Sequence, residues 1–493
     1  MKIRALIVVS LLALLIGLPL ALRRDAGPDS SQATRRLSIV TPHNETIRRE
    51  FGRAFVEWWR EKTGETIYVN WLTPGGTSEI IKVINSSYAA AEKDNREGIG
   101  IDIFWGGGDY DFRKMAGEFS DDDPGRFAKL RIFETHPELF GEGQIQQTMR
   151  GENYYGKNLD WIGVCLSSFG ICYNVDGCER LGLEAPRTWV DLTDPRYVGE
   201  IALADPTKSG SVNKAFEMIL QKEIQDEIRK GGDRDEAIAM GWVRGINVVR
   251  RIGANARYFT DSATKIPRDV ADGNAVAGLC IDYYGRTFNE LLKADDGSSR
   301  LQFIAPEGAT SWSVDPVAIL NGAPEGELAE AFVEFLMTDE GQRLWNVKAG
   351  APDGPTERAL RRLPVKPALY RTEGGTADFV DQENPYELKG EFEYDSSLTG
   401  PAFNPLRVLV RAMCIETHEE LVAAWEALAE AGFPPQATAA FDELDGLGYR
   451  EVIGPLKKRM KESRLEAVRV ETELSQRFRH QYEKVKQLAE EGR

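Results

Sequence analysis

"EIALADPTKSGSVNKAFEMIL", residues 200–220, changes character twice. "EIALADP" is an apolar run, "TKSGS" is a polar loop, and "VNKAFEMIL" opens a helix. The order is strand, loop, helix. It recurs toward the N-terminus, where "RLSIVTPHN" is a buried strand that ends in a turn. "ETIRREFGRAFVEWWREKTG" follows with Ile47, Phe51, Phe55, Trp58 and Trp59 at helical spacing, and Gly64 closes it. "TIYVNWLT" is a second strand, "PGGTSEIIKVINSSYAAAEK" a second helix, and "IDIFWGGG" a third strand. This alternation predicts an α/β fold with a parallel sheet. Ligands of such sheets bind beyond the carboxyl ends of the strands. Here those ends are His43 and Asn44, residues 73–78, and residues 106–109.

Two of these junctions are built to receive an anion. Ser209, Gly210 and Ser211 combine hydroxyls with the free amides of a helix start, and Lys208 or Lys214 could add charge. In "TPGGTSEII", Gly75 and Gly76 let the backbone approach a ligand, while Thr77 or Ser78 can cap the helix. Either junction alone is also explained as a plain helix cap. Two of them, in two different units, point to a small anionic group clamped between them. "FWGGGDYDF" places Gly106, Gly107, Gly108 and Asp109 at a third strand end. No Lys-Ser/Thr follows, so this is not a phosphate-binding P-loop, and its spacing is not that of a dinucleotide fingerprint.

"GLCIDYYGRTF" carries the adjacent pair Tyr283 and Tyr284. On a regular strand, neighbouring side chains point to opposite faces. Two phenols could serve one site only if the strand bends or ends there, and Gly285 would permit a bend. Spacing alone favours one packed and one hydrogen-bonded tyrosine. The other reading is an oxygen pair for a hard trivalent cation. Of the four histidines, only His43 lies at a strand end. No nucleophile elbow, zinc-binding HExxH or calcium loop is present, so the sequence does not support an enzyme.

A chain of 493 residues holds two or three domains, or one two-lobed protein with an appendage. Its net charge of −17 argues against a nucleic-acid partner. Lys2 and Arg4 precede the apolar run of residues 5–22, an export segment followed by a polar linker. With Pro19 ahead of Ala21 the cleavage site is poor, so the run reads as an uncleaved membrane tether, with a cleaved signal as the alternative. Either way the rest of the chain lies outside the cytoplasm, periplasmic and in the first case anchored to the inner membrane. The spacing of the five cysteines fits no zinc site, and an oxidising compartment permits a disulfide. A second unit starts near Trp161. From about Arg371 the chain turns polar and irregular, then helical. The tail reads as a solvated helix packed on the body by a narrow apolar stripe.

The order of these segments resembles the extracellular solute-binding proteins of ABC importers, in the ferric-binding branch of the type 2 periplasmic binding fold. "IDIFWGGG", "GICYNVD", "PRTWVDLTDPRYVGEIALADPTKSGS" and "DPVAILNGAPEGELAEAFVEFLMTDEGQRLW" carry the likeness within residues 36–365. Taken with the residue reading, the chain divides first into an export signal or anchor and linker over residues 1–35. A two-lobed solute-binding domain would span 36–370, with its second lobe at 162–300. A helical extension would span 371–493. The resemblance implies capture of a solute in a hinged cleft and delivery to an ABC permease in the membrane, with no resident cofactor. The family's iron binders hold ferric ion with two adjacent tyrosines, often a histidine and a glutamate, and a synergistic anion. Tyr283 and Tyr284 match that pair, His43 matches the histidine, and Ser209 to Ser211 match the anion turn. The glutamate's place reads Gly106-Gly107-Gly108, with Asp109 beyond it. Relatives without the full iron set bind organic anions, so the resemblance leaves a phosphate- or carboxylate-bearing solute beside ferric ion. The anchor and tail leave a second reading, a membrane-tethered sensor or scaffold built on the same domain.

Overall fold

The computed structural model describes residues 33–120, 122–371, 374–387 and 392–492. The apolar run of residues 5–22 lies outside them. Among the described residues, no helix is long and apolar enough to cross a membrane.

Two sheets form two lobes. The strands of the first are β1 (Arg35–Val40), β2 (Ile67–Leu72), β3 (Ile103–Trp105), β6 (Ile162–Ser167), β12 (Ser313–Ile319) and β13 (Leu363–Pro364), in the order β13-β6-β12-β3-β1-β2. Strands β4 (Thr148–Met149) and β5 (Glu152–Asn153) make a small hairpin beside it. The second sheet contains β7 (Phe169–Asn174), β8 (Ile201–Ala204), β9 (Ala256–Thr260), β10 (Ala277–Ile281) and β11 (Leu301–Ile304), in the order β11-β7-β10-β8-β9. The chain crosses between the lobes at Ser168 and again along residues 305–312. The long apolar run after Trp161 therefore divides at Ser168: β6 completes the first sheet and β7 begins the second.

The expected parallel sheet is a mixed one. β1 pairs in parallel with β2 and β3, but β12 runs antiparallel to β3 and β6. The cause is topological. The N-terminal strands are joined by helices, which force parallel pairing, whereas β12 re-enters the first lobe from the second and runs the other way.

Helix α1 (Glu45–Thr63) starts where Asn44 accepts from the Ile47 amide at 3.0 Å, and ends at Gly64 in the left-handed conformation. Ile47, Phe51, Phe55 and Trp59 are buried against β1 to β3 and α7 (Gly326–Met337), while Trp58 is half-exposed. Each such aromatic contributes about 1.5–3 kcal/mol of burial. Helices α2 (Thr77–Lys93) and α3 (Asp109–Met115) complete the N-terminal half of the first lobe, and α4 (Gly210–Arg229), α5 (Arg234–Ala254) and α6 (Asp282–Leu291) belong to the second.

The C-terminal extension builds on the second lobe. It contains α8 (Phe403–Val410), α9 (His418–Glu430), α10 (Pro435–Asp442) and α11 (Arg464–Glu490). The Trp242 indole on α5 donates to the Leu447 carbonyl at 2.9 Å, and Trp425 on α9 donates to Asn255 at 2.9 Å. On α11 the buried residues Val470, Leu474, Phe478, Tyr482, Val485 and Leu488 recur at helical spacing, the narrow stripe expected of the tail. All five cysteines are buried free thiols.

Candidate functional site

The carboxyl ends of strands from both sheets meet around one cavity of about 200 Å³. From the first lobe, His43, Gly76, Thr77, Gly107, Gly108 and Asp109 line it; from the second come Ser209, Gly210, Ser211, Tyr283 and Tyr284. Of the positions singled out in the sequence, Asn44, Gly75, Ser78 and Gly106 are not part of this wall, and the Ser78 hydroxyl faces Arg407 at 3.5 Å. The lobes are in close approach at the rim. A Cβ on Gly76 would stand 3.2 Å from the Lys208 carbonyl of the opposite lobe, so glycine there permits the cleft to close.

Two helix starts face each other across this space. At α4 the Ser209 hydroxyl accepts from the Val212 amide at 3.4 Å, which leaves the Gly210 and Ser211 amides without intrahelical partners. At α2 no side chain caps the helix, and the Thr77 and Ser78 amides are equally free of intrahelical bonds. Each start also carries the positive end of a helix dipole. An anion between them receives donors from both lobes at once, and that is what closure of a two-lobed protein requires.

Tyr283 and Tyr284 share this site because the strand ends before them. β10 stops at Ile281 and α6 begins at Asp282, so the alternation of a strand does not apply. Their ring centroids are 4.0 Å apart at 36°. Gly285 is not the bend; it makes room for the Phe303 ring, which a Cβ there would meet at 2.5 Å. Burial raises the pKa of both phenols above the ordinary tyrosine value and holds them protonated. Arg362 lies over the Tyr283 ring, 4.7 Å from its centroid.

His43 is locked into a buried network. Its Nε2 and Asp315 Oδ2 are 2.9 Å apart, and its Nδ1 lies 2.9 Å from the Thr41 hydroxyl. With Nε2–H donating to the carboxylate, Nδ1 accepts from Thr41, so neither nitrogen is free for a metal. Burial lowers the pKa of this imidazole and Asp315 offsets that only in part. Asp315 also accepts from the Gly107 amide at 3.0 Å and from Arg362, whose other nitrogen donates to Ser167 at 2.7 Å. Burial opposes the Asp315 charge, but Arg362 and His43 outweigh it and hold the carboxyl well below its usual range. Gly106 has φ of +98°, and a Cβ on it would meet the His43 ring at 2.8 Å. The glycine run in the glutamate's place thus makes room for the histidine network.

A second buried network closes the other end. Lys214 Nζ lies 3.1 Å from both Glu152 of the first lobe and Glu217 of its own helix. Burial opposes the lysine's charge, yet these carboxylates hold it firmly protonated. Burial pushes Glu152 up to about 7. Lys214 is therefore already compensated. Asp109 is 4 % exposed and also lines the cavity. Sequence reasoning missed Arg362, Asp315 and the loop of Ser262 and Thr264, all of which line the cavity. It also missed Phe403, contributed by the extension. Among the described residues, no group of three or more His, Cys, Asp or Glu side chains could hold a metal ion.

Residues 126–366 match the family of bacterial extracellular solute-binding proteins. Over 316 residues, 64% of this chain and 76% of the relative, the chain is 25% identical to an uncharacterized protein of Haemophilus influenzae. Over 219 residues it is 25% identical to the phosphoglycerate transport regulatory protein PgtC of Salmonella typhimurium, covering 43% of this chain and 49% of that one. A solved substrate-binding protein of an ABC transporter from Agrobacterium tumefaciens superposes with a TM-score of 0.51 at 14% identity, over 77% of this chain and 96% of that one. That likeness concerns the fold alone. The chain thus has the type 2 periplasmic binding fold, two lobes closed on one cavity, and just under half of it, residues 126–366, matches the bacterial extracellular solute-binding proteins, with a helical extension beyond the matched region.

Proposed function

We propose that the chain captures a small anionic solute, bearing phosphate or carboxylate, in the closed cleft and presents it to an ABC permease. The facing starts of α2 and α4 carry this reading, because each lobe offers unpaired amides and hydroxyls to the same space. Arg362 also lines the cavity wall, with its charge paired to Asp315. Asp109 adds a buried acidic side chain to the cavity wall, which suits a solute carrying hydroxyl groups as well as an anion. The phosphoglycerate transport named in one relative is in keeping with that chemistry.

Ferric ion is supported less well. The tyrosine pair faces the cavity, but both phenols are held protonated, the His43 nitrogens are occupied, and Arg362 repels a cation at Tyr283. Placement in the periplasm and tethering through residues 5–22 are part of the proposal; the match of residues 126–366 to extracellular solute-binding proteins supports the first. The extension beyond the family match supports a second reading, a tethered sensor that reports closure to a partner.

Thermal shift of the full chain against inorganic phosphate, 3-phosphoglycerate, citrate and ferric nitrilotriacetate separates the ligands. The proposal expects stabilisation by one or more anions. Stabilisation by ferric complex alone, with a visible charge-transfer band lost in Tyr283→Phe, would overturn it.

A further inference from the structure

The extension does more than cover the second lobe. Residues 394–411 run along α4 to the mouth of the cleft. Four of their contacts with the second lobe are buried or nearly so. The Tyr394 hydroxyl donates to Glu217 at 2.8 Å, Thr399 donates to the same carboxylate at 2.7 Å, Gln221 donates to Thr399 at 2.8 Å, and Asn213 donates to the Phe403 carbonyl at 3.1 Å. Helix α8 then reaches the first lobe through a smaller set. The Phe403 ring lies 4.5 Å from that of Tyr110, Asn404 donates to the Tyr110 hydroxyl at 3.0 Å, and Arg407 faces Ser78 at 3.5 Å and Asp111 at 3.9 Å. Phe403 also forms part of the cavity wall.

The two sides are unequal. The bonds to α4 are inside the protein, and breaking them would strand the Asn213 amide and leave buried Glu217 with Lys214 alone. The bonds to Tyr110, Ser78 and Asp111 span the opening between lobes. When the lobes part by hinge motion, the second set must break and the first must hold. Two nitrogens of Arg407, Nε and Nη2, are buried without acceptors even in the docked position, so this contact is weak by construction.

We propose that α8 is a strap: it is carried by the second lobe, docks on Tyr110, Ser78 and Asp111 of the first lobe only when the cleft is closed, and thereby biases the protein toward closure. It follows that solute release needs undocking of the extension, and that the extension's position reports the state of the cleft. This rests on the cleft being the solute site, yet its test needs no solute.

Because all five native cysteines are buried, spin labels can be confined to Lys82→Cys on α2 and Lys265→Cys in the second lobe. The full chain should give a predominantly short interlobe distance. Asn404→Ala with Arg407→Ala should raise the open-to-closed ratio about tenfold, the effect of losing one hydrogen bond and one weak ion pair. Phe403→Ala should act in the same direction. A Tyr110→Cys, Asn404→Cys pair, once oxidised, should restore the short distance in an otherwise opened variant and release it on reduction. An already open wild type, or a distribution unchanged in both strap variants, would overturn the proposal. Failure of the anion panel with these distances as expected would remove the assigned ligand and leave the strap standing.

Discussion

Arg362→Met should be among the most destabilising single changes in the first lobe. Arg362 is 2 % exposed and bonds both Asp315 and Ser167, which ties β13 to β12 and β6. Its removal leaves the Asp315 carboxylate buried with only His43 and the Gly107 amide. Breaking one partner of a buried ion pair costs about 3–5 kcal/mol, because the other charge remains desolvated. At about 2–4 °C per kcal/mol for a unit of this size, the melting temperature should fall by at least about 6 °C. Loss of the Arg362 charge also removes one of the influences that keep His43 neutral, so part of the cost should be recovered below pH 6 as the imidazole protonates beside Asp315. Calorimetry at pH 5.5 and pH 8 reads both effects. Adding Asp315→Asn removes the stranded charge and should restore stability relative to the single variant. A fall of less than about 2 °C, or a double variant no better than the single, would refute the reasoning.

Three further outcomes are expected. Glu152, held at about 7 in the fold against 4.5 when free, binds its proton more tightly folded than unfolded; its contribution to stability is therefore full below pH 4.5 and is lost as pH rises through 7. Glu152→Gln should flatten that part of the stability–pH curve, as read by melting temperature. Phe478→Ala removes a fully buried ring between α11 and the second lobe and should cost about 3–5 kcal/mol in denaturant unfolding. A thiol reagent should find no reactive cysteine in the native protein and five after denaturation without reductant.

The alternation of strands and helices was legible because each N-terminal strand is followed by its own amphipathic helix, as at Ile47, Phe51 and Phe55. What could not be read was the direction of β12, since that depends on where the chain re-enters the first lobe. The site was legible where backbone chemistry defines it, at Gly76 and Thr77 and at Ser209 to Ser211, because helix starts announce themselves locally. Tyr283 and Tyr284 were ambiguous because the strand ends one residue before the helix, with Asp282 opening it. His43 could be placed at a strand end, but its partners lie at Asp315 and Arg362, brought to it by two strands of the same sheet. Arg362 sits at the edge of a strand of two residues, in a stretch without periodicity. Phe403 and Arg407 look like ordinary helix residues in sequence; only docking across the cleft gives them a role.

The central claim is that an anion is held by donors from both lobes. Calorimetric titration of the anion that most stabilises the full chain, into wild type and into Ser209→Ala with Ser211→Ala, tests it most directly. The account predicts one site per chain and at least about tenfold weaker binding in the variant, as expected for losing a hydrogen bond to a charged group. Equal affinity in the two proteins would contradict it.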